Sequence, residues 1–211
     1  MKQLLLFIAF CYTLTATAQN KPADRILYGS ITTDSLQQAP YDAWYKKNYA
    51  AYTTNPAVKE SLKAMLQKGI KVEAYFGSWC GDSKRELPRF IKVLDETGFD
   101  KSNLRIIATG GSDSLYKQSP KGEEKGKGIF RVPVFIVYRN GAEIGRINEF
   151  PAETMERDLL AILKNEPYTP NYKSFATLTR WLNQSVLIDS NISVRGLSEQ
   201  IKPFVTNEHE L

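Results

Sequence analysis

The fold is decided by the stretch Phe76-Gly77-Ser78-Trp79-Cys80-Gly81-Asp82-Ser83-Lys84, which joins a strand pattern to a helix pattern. The apolar run Val72 to Phe76 is typical of a short buried strand. The helix pattern that follows has four apolar residues on one face: Leu87, Phe90, Ile91 and Leu94. Cys80 is therefore predicted to lie where a strand gives way to a helix.

A cysteine at such a junction is predicted to be a nucleophile. The first turn of a helix presents free N–H groups and the positive end of the helix dipole, and both stabilise a thiolate. The alternative is an inert cysteine that is buried as a small apolar residue. The neighbours of Cys80 are small or polar, which favours the reactive interpretation: Gly77, Ser78, Gly81, Asp82 and Ser83.

Strand and helix patterns continue towards the C-terminus in α/β order. Leu104 to Ala108 and Val134 to Tyr138 are predicted strands, and Asn140-Gly141 predicts a hairpin turn into a strand from Glu143 to Ile147. Residues 110–128 are rich in Gly, Ser and Lys and are predicted to form a loop or a poorly packed helix. A last helix carries four apolar residues: Met155, Leu159, Ile162 and Leu163.

The segment before residue 70 is predicted to be mainly helical, after a candidate short strand from Ile26 to Ile31. Its aromatic residues follow helical spacing and form either an aromatic binding surface or, the favoured interpretation, a helix packed on the core. These residues are Tyr41, Trp44, Tyr45, Tyr49 and Tyr52. Asn55-Pro56 predicts the cap and first turn of a second helix, which ends at Gly69.

The first eighteen residues are predicted to be a cleaved secretory signal. Lys2 precedes the apolar run Leu4 to Leu14, which is too short to span a bilayer, and Ala16-Thr17-Ala18 is a small-x-small cleavage site. Cleavage would remove Cys11 and leave Cys80 as the one thiol of an exported protein, periplasmic or secreted. No stable membrane span is expected after cleavage.

The composition predicts a globular protein. The 211 residues are 42% hydrophobic and 24% charged with a formal charge of +5, which excludes collagen-like, coiled-coil and wholly disordered chains. Two cysteines and His209 do not have the short spacing of a zinc site, so no metal and no cofactor are expected. The stretch Lys121 to Lys127 contains two glutamates and is predicted to be a solvated loop, so no nucleic-acid partner is expected.

The segment around Cys80 resembles the thioredoxin superfamily, whose active-site segment usually has the form Trp-Cys-Gly-Pro-Cys-Lys. Pro88 stands where the family kinks this helix, and Val132-Pro133 precedes an apolar strand as the family's cis-proline does. The resemblance implies a three-layer α/β/α sandwich over residues 70–166. A signal peptide (1–18), an N-terminal helical extension (19–69) and a C-terminal helical tail (167–211) would lie outside that domain.

The resemblance also implies how substrate is held. Pro133 is expected to be cis and to lie beside Cys80 in space. The backbone of Val132 is expected to hold an extended substrate strand by β-pairing. The predicted substrate-binding residues are Trp79, Val132 and Pro133.

Two departures from the family's motif bear on the chemistry. Ser83 stands where the second cysteine is usual, so Cys80 can form a mixed disulfide but has no internal thiol to release the product. Ser83 remains a candidate hydrogen-bond donor to the thiolate. Asp82 replaces the usual proline and opposes ionisation of the thiol, an effect that Lys84 and Arg85 are candidates to offset.

Glu73 is the candidate for the family's buried acid, whose own position is Ala74. It is either a displaced proton acceptor with a raised pKa or a solvated residue at a sheet edge. The predicted catalytic residues are Cys80, Ser83 and Glu73.

Together these patterns predict an exported thioredoxin-like protein that exchanges thiols and disulfides through one nucleophilic cysteine. Its expected partners are protein or peptide thiols and disulfides. The alternative is a redox-inactive module of the same fold that binds extended peptides or a partner protein. A peroxidase is disfavoured because no arginine-assisted pocket is evident around Cys80, and an iron–sulfur carrier because of the expected export.

Overall fold

The computed structural model describes residues 25–66, 69–112 and 115–172. The predicted signal and the helices predicted in the tail, at Phe175 to Leu182 and Leu197 to Phe204, lie outside the described residues. Residues 167–172, the described part of that tail, contain neither helix nor strand.

The described residues form a mixed α/β structure in the predicted order of elements. The strands are β1 (Gly29–Ile31), β2 (Ile70–Phe76), β3 (Leu104–Ala108), β4 (Val134–Arg139) and β5 (Ala142–Asn148). The helices are α1 (Thr33–Leu36), α2 (Asp42–Ala51), α3 (Pro56–Met65), α4 (Gly81–Glu96) and α5 (Met155–Lys164), with a short 3₁₀ turn at Lys101–Asn103. Residues 110–112 and 115–128 form turns and loop, which is the first of the two predicted alternatives.

The strands make one five-stranded sheet in the order β1-β3-β2-β4-β5. β2 pairs parallel with β3 and antiparallel with β4, so it is hydrogen-bonded along both edges. β4 and β5 form the predicted hairpin, in which Asn140 and Gly141 both have positive φ, as a two-residue turn of this kind requires.

Side chains of β2 alternate between two apolar clusters, one on each face of the sheet. Val72, Ala74 and Phe76 belong to the larger cluster, and Tyr75 belongs to the smaller one. This alternation follows from the twofold repeat of a strand. Burial on both faces explains why the sequence of β2 is a nearly continuous apolar run.

Among the described residues, the five helices pack against one face of the sheet, and the predicted mixed α/β fold is confirmed in this coarse form. Each helix from α1 to α5 contributes buried apolar residues to the larger cluster and none to the smaller one. The smaller cluster is closed by residues of the β3–β4 connection, Ile129 and Val132. The described residues of this connection contain no regular helix, because their glycine-rich, charged sequence offers no continuous apolar stripe.

The segment predicted as an N-terminal extension shares the core of the predicted domain. β1 pairs antiparallel with β3, and Leu36 and Leu62 are completely buried in the larger cluster. The Tyr52 hydroxyl donates to Glu156 Oε2 at 2.5 Å, which joins the end of α2 to α5. The boundary predicted at residue 70 therefore does not separate two cores.

Replacement of Leu36 by alanine tests this shared core. We expect Leu36→Ala to lower the free energy of unfolding by about 2–5 kcal/mol, because it removes fully buried apolar volume. Urea unfolding, followed by circular dichroism, should show a single transition at lower denaturant. Leu115→Ala, at a side chain that is 41% exposed, is the control and should change stability far less. A separate early transition in Leu36→Ala would contradict a common core.

Candidate functional site

Cys80 lies where β2 passes into α4. Its N–H donates to Gly77 O at 2.9 Å, and its carbonyl accepts from the N–H of Lys84 at 3.0 Å. With extended backbone angles it occupies the N-cap position, and its side chain makes no capping hydrogen bond. Cys80 is partly exposed and stands at the start of α4, which is the predicted placement.

The thiol contacts the backbone just before Pro133. Cys80 Sγ donates to Val132 O at 3.3 Å, and the Val132–Pro133 bond is cis. The expectation that Pro133 is cis and lies beside Cys80 is therefore confirmed. Val132 itself is only 2% exposed and belongs to the smaller cluster, so its carbonyl is held in place by packing of its side chain.

Trp79 forms one wall of the site. Its indole Nε1–H donates to Thr109 O at 3.0 Å, and its ring packs on Tyr116 with the centroids 5.1 Å apart. Gly77 and Gly111 both lie against this ring, where an added Cβ would approach it to 2.5 and 2.7 Å. The two glycines are thus required for the indole to fit between the β2–α4 and β3–β4 connections.

Ser83 has a structural contact in this arrangement. Its side chain is completely buried, and its hydroxyl oxygen accepts from the N–H of Gly77 at 3.1 Å. The hydroxyl therefore connects the first turn of α4 to the end of β2. The hydrogen bond that the structure gives it goes to the backbone of the loop that carries Cys80.

Both interpretations of Glu73 are wrong. The side chain is 8% exposed, and its carboxylate accepts from Arg105 at 2.7 Å, from the hydroxyls of Tyr75 and Tyr138, and from Lys127. Burial by itself raises the pKa of Glu73, but the hydrogen bond and charge of Lys127, the hydrogen bond of Tyr75 and the charge of Arg105 together outweigh it, so the pKa is lowered. Glu73 is consequently a buried carboxylate paired with Arg105 and Lys127, and its pKa is shifted in the direction opposite to the one expected for a displaced proton acceptor.

Glu73 also lies away from the sulfur. It precedes the end of β2 at Phe76 by three residues, about 10 Å of extended chain. Its partner Lys127 belongs to the stretch predicted to be a solvated loop. That prediction is wrong for Lys127 and for Glu124, which is 6% exposed and accepts from the N–H of Ser119.

Sequence reasoning missed Lys117, a half-buried lysine of the β3–β4 connection. Its Nζ lies 4.5 Å from the ring centroid of Tyr116 and 5.3 Å from that of Phe130. Tyr116 packs on Trp79, and Phe130 precedes Val132 by two residues, so the amine lies among the groups that surround Cys80. In the described part of the chain Lys117 forms no ion pair.

The electrostatics of Lys117 link it to Cys80. Burial and then the like charge of Arg131 lower the pKa of Lys117 to about 8, while the charges of Cys80 and Glu149 oppose this shift. At neutral pH the amine is therefore still largely protonated, and it places a positive charge near the sulfur. No signal in the sequence separates Lys117 from the other lysines of this stretch, because its neighbours are set by tertiary packing.

Residues 25–66, 69–112 and 115–172 contain neither a candidate metal-binding cluster nor a candidate membrane-spanning helix. In these ranges no group of three or more His, Cys, Asp and Glu side chains is arranged to hold a metal ion. No helix there combines the length and the apolar character needed to cross a membrane.

The ion pairs of Glu73 should contribute to stability above acidic pH. Because its folded-state pKa is lowered, the contribution is present above the ordinary glutamate value and is lost as pH falls through the folded-state pKa. We expect Glu73→Gln to reduce the free energy of unfolding by about 1–3 kcal/mol at neutral pH, with the difference narrowing in acid. Urea unfolding against pH measures this. Glu153→Gln, at an exposed glutamate 3.6 Å from Arg157, is the control. If Glu73→Gln lowered the free energy of unfolding by the same amount at every pH, the lowered pKa of Glu73 would be contradicted.

Comparison with known proteins gives one partial similarity. The chain is 30% identical over 96 residues to a Chlamydomonas reinhardtii protein described as the 16 kDa light chain of the flagellar outer-arm dynein. The alignment covers 45% of this chain and 58% of that protein, so the chain spans little more than half the length of the relative it matches. No family model and no solved structure matches the chain.

Proposed function

We propose that this protein is an exported, thioredoxin-like thiol–disulfide exchange protein, periplasmic or secreted, that acts through Cys80 alone. The observation that carries the proposal is the contact of 3.3 Å between Cys80 Sγ and Val132 O at the start of α4. It supports exchange because a reactive sulfur at an open helix terminus would lie next to backbone that could hold a client strand.

The reaction needs no second cysteine in the protein. The Cys80 thiolate attacks one sulfur of a client disulfide, the client S–S bond breaks, and the other client sulfur leaves as a thiolate. A second client thiolate, or a small external thiol, then attacks the mixed disulfide and restores Cys80. Ser83, whose hydroxyl accepts from the Gly77 N–H, offers no thiol that could release the client. This arrangement suits rearrangement of disulfides better than net reduction.

Lys117 would favour the reactive form of Cys80 in this scheme. A protonated amine near the sulfur stabilises the thiolate relative to the thiol. The charge of Lys117 would offset the repulsion between the Asp82 carboxylate and the Cys80 thiolate. That repulsion is also reduced by the ion pair of Asp82 with Arg85 Nη2 at 2.7 Å. The positive charge at this site would thus come from the β3–β4 connection as well as from α4.

The fold supports the proposal in a modified form. The segment from Trp79 to Ser83 follows the central strand of a mixed sheet, and the cis Val132–Pro133 bond precedes β4. We infer a variant of the thioredoxin fold in which an irregular connection covers the face opposite the helices.

The second candidate function is a redox-inactive module of the same fold that binds a partner protein. Two observations favour it. The relative is described as a light chain of dynein, which is a component of a protein assembly. In addition, Ser83 stands where a second cysteine would be needed for release within the molecule.

Alkylation kinetics test the reactivity of Cys80. We expect the purified protein to react with iodoacetamide at pH 7 several-fold faster than glutathione does, and Cys80→Ala to remain unlabelled. Lys117→Met should slow alkylation about three- to tenfold at pH 7, because it removes the nearby positive charge. The measurement is the labelled fraction of intact protein, by mass spectrometry, against time.

The matched control for that substitution is Lys121→Met, at an exposed lysine of the same connection. It changes net charge equally but should leave the alkylation rate within about twofold. A wild-type rate no higher than that of glutathione would reject the proposed chemistry. Equal rates for Lys117→Met and the wild type would reject the role of Lys117 alone.

Capture of partners distinguishes the two candidate functions. If exchange is the function, partners isolated from the native compartment should be attached through a disulfide to Cys80, should be released by reductant, and should be lost in Cys80→Ala. If the protein is a redox-inactive module, Cys80→Ala should retain its partners. Retention of every partner in Cys80→Ala would count against exchange.

A further inference from the structure

A cavity of about 150 Å³ lies beside Trp79. It is bounded by the segment before β1, by the start of α2 and by the β2–α4 connection. Its principal lining residues are Arg25, Ile26, Trp44, Ser78, Trp79 and Lys84. The volume is several times the roughly 30 Å³ of one water molecule but below that of a typical small-molecule site, so it fits one side chain.

The walls of this cavity are aromatic and held in place. Trp79 is fixed by its hydrogen bond to Thr109 O, and the Ser78 hydroxyl accepts from the N–H of Leu27 at 2.9 Å. Trp44 comes from the aromatic helix that was interpreted as a core element. That interpretation holds for Tyr45, which is buried, whereas Trp44 is partly buried and also faces the cavity.

The charged lining of the cavity is entirely positive. Arg25 and Lys84 contribute cations, and none of the lining residues is an aspartate or a glutamate. Neither cation forms an ion pair within the residues that the structure describes. Most other cations near α4 are neutralised, as Arg85 is by Asp82 and Glu86. Two uncompensated cations in a partly enclosed aromatic recess favour an anionic group with an apolar stem.

The two residues that precede Cys80 in the chain line the cavity. Ser78 and Trp79 line it, and Cys80 is the next residue of the chain. A polypeptide joined to Cys80 would need to extend only a few residues, at about 3.3 Å each, to pass Trp79. A side chain near the client cysteine could therefore enter the cavity while the sulfurs react.

We propose that this cavity receives an acidic side chain, aspartate or glutamate, of the polypeptide whose cysteine reacts with Cys80. The inference rests on the proposed function, because that function brings the polypeptide to the site. The proposed substrates are therefore polypeptides in which an aspartate or glutamate lies within a few residues of the reacting cysteine. Arg25 and Lys84 would bind the carboxylate, and the two indoles would contact its methylene groups.

Matched peptides test this inference. Short peptides that differ only in glutamate or glutamine near one cysteine, each carried as a thiopyridyl disulfide, are mixed with the protein, and release of thiopyridone gives the rate of attack by Cys80. We expect the glutamate peptide to react about three- to tenfold faster than the glutamine peptide at low salt. In Arg25→Gln/Lys84→Gln the two rates should become equal.

The charge-matched control is Lys71→Gln/Lys125→Gln. Lys71 lines a different cavity beside Glu73, and Lys125 is exposed in the β3–β4 connection. This variant loses the same net charge and should keep the preference for glutamate. Equal rates for the two peptides in the wild type, or a preference that survives in Arg25→Gln/Lys84→Gln, would overturn the inference. So would a preference lost equally in the control variant.

Two further arms separate this inference from the proposed function. An uncharged dialkyl disulfide measures the intrinsic reaction of Cys80, and no reaction with it or with either peptide would reject exchange. The cavity is then tested without chemistry, by titrating Cys80→Ala with peptides that carry serine in place of cysteine and following tryptophan fluorescence. Tighter binding of the glutamate peptide, abolished in Arg25→Gln/Lys84→Gln, would support the cavity, and equal binding of both peptides would overturn it.

Discussion

The position of Cys80 depends on the burial of strand β2. This strand is hydrogen-bonded to β3 and β4 and has apolar clusters on both faces, so its path is fixed along its whole length. Cys80 lies four residues beyond Phe76, the last residue of β2, and its N–H donates to Gly77 O. A reactive atom carried by such a strand is placed with little freedom, as accurate positioning of a functional group requires.

The irregular connection between β3 and β4 contributes several of the groups near Cys80. It covers the face of the sheet opposite the helices and ends in the cis Val132–Pro133 bond. On the way it places Tyr116 against Trp79 and brings Lys117 between aromatic rings. A regular helix in this connection would present a side chain to the sheet every three to four residues, whereas the irregular path also brings backbone and charge close to Cys80.

The carboxylate Glu73 and the amine Lys117 illustrate two different electrostatic environments in one small structure. Glu73 is surrounded by Lys127, Arg105 and two tyrosine hydroxyls, so its charge is fully compensated and contributes to stability. Lys117 is half-buried with Arg131 nearby and without an ion pair in the described ranges, so its charge is available to an anion. A compensated charge is typical of structure, and an uncompensated one near a thiol is typical of a functional site.

Elements whose signals are local could be predicted from the amino-acid sequence alone. The apolar run of β2, the cysteine at the start of α4, the Asn140-Gly141 turn and the proline after Val132 all depend on neighbours within a few residues, so each could be predicted. Contacts between segments that are distant in the sequence could not be predicted in this way. The pairing of β1 with β3, the ion pairs of Glu73 and the placement of Lys117 and of Arg25 near Trp79 join residues that are tens of positions apart. Only the tertiary structure decides such contacts, because they follow from how the sheet and its connections pack and not from the period of any one segment.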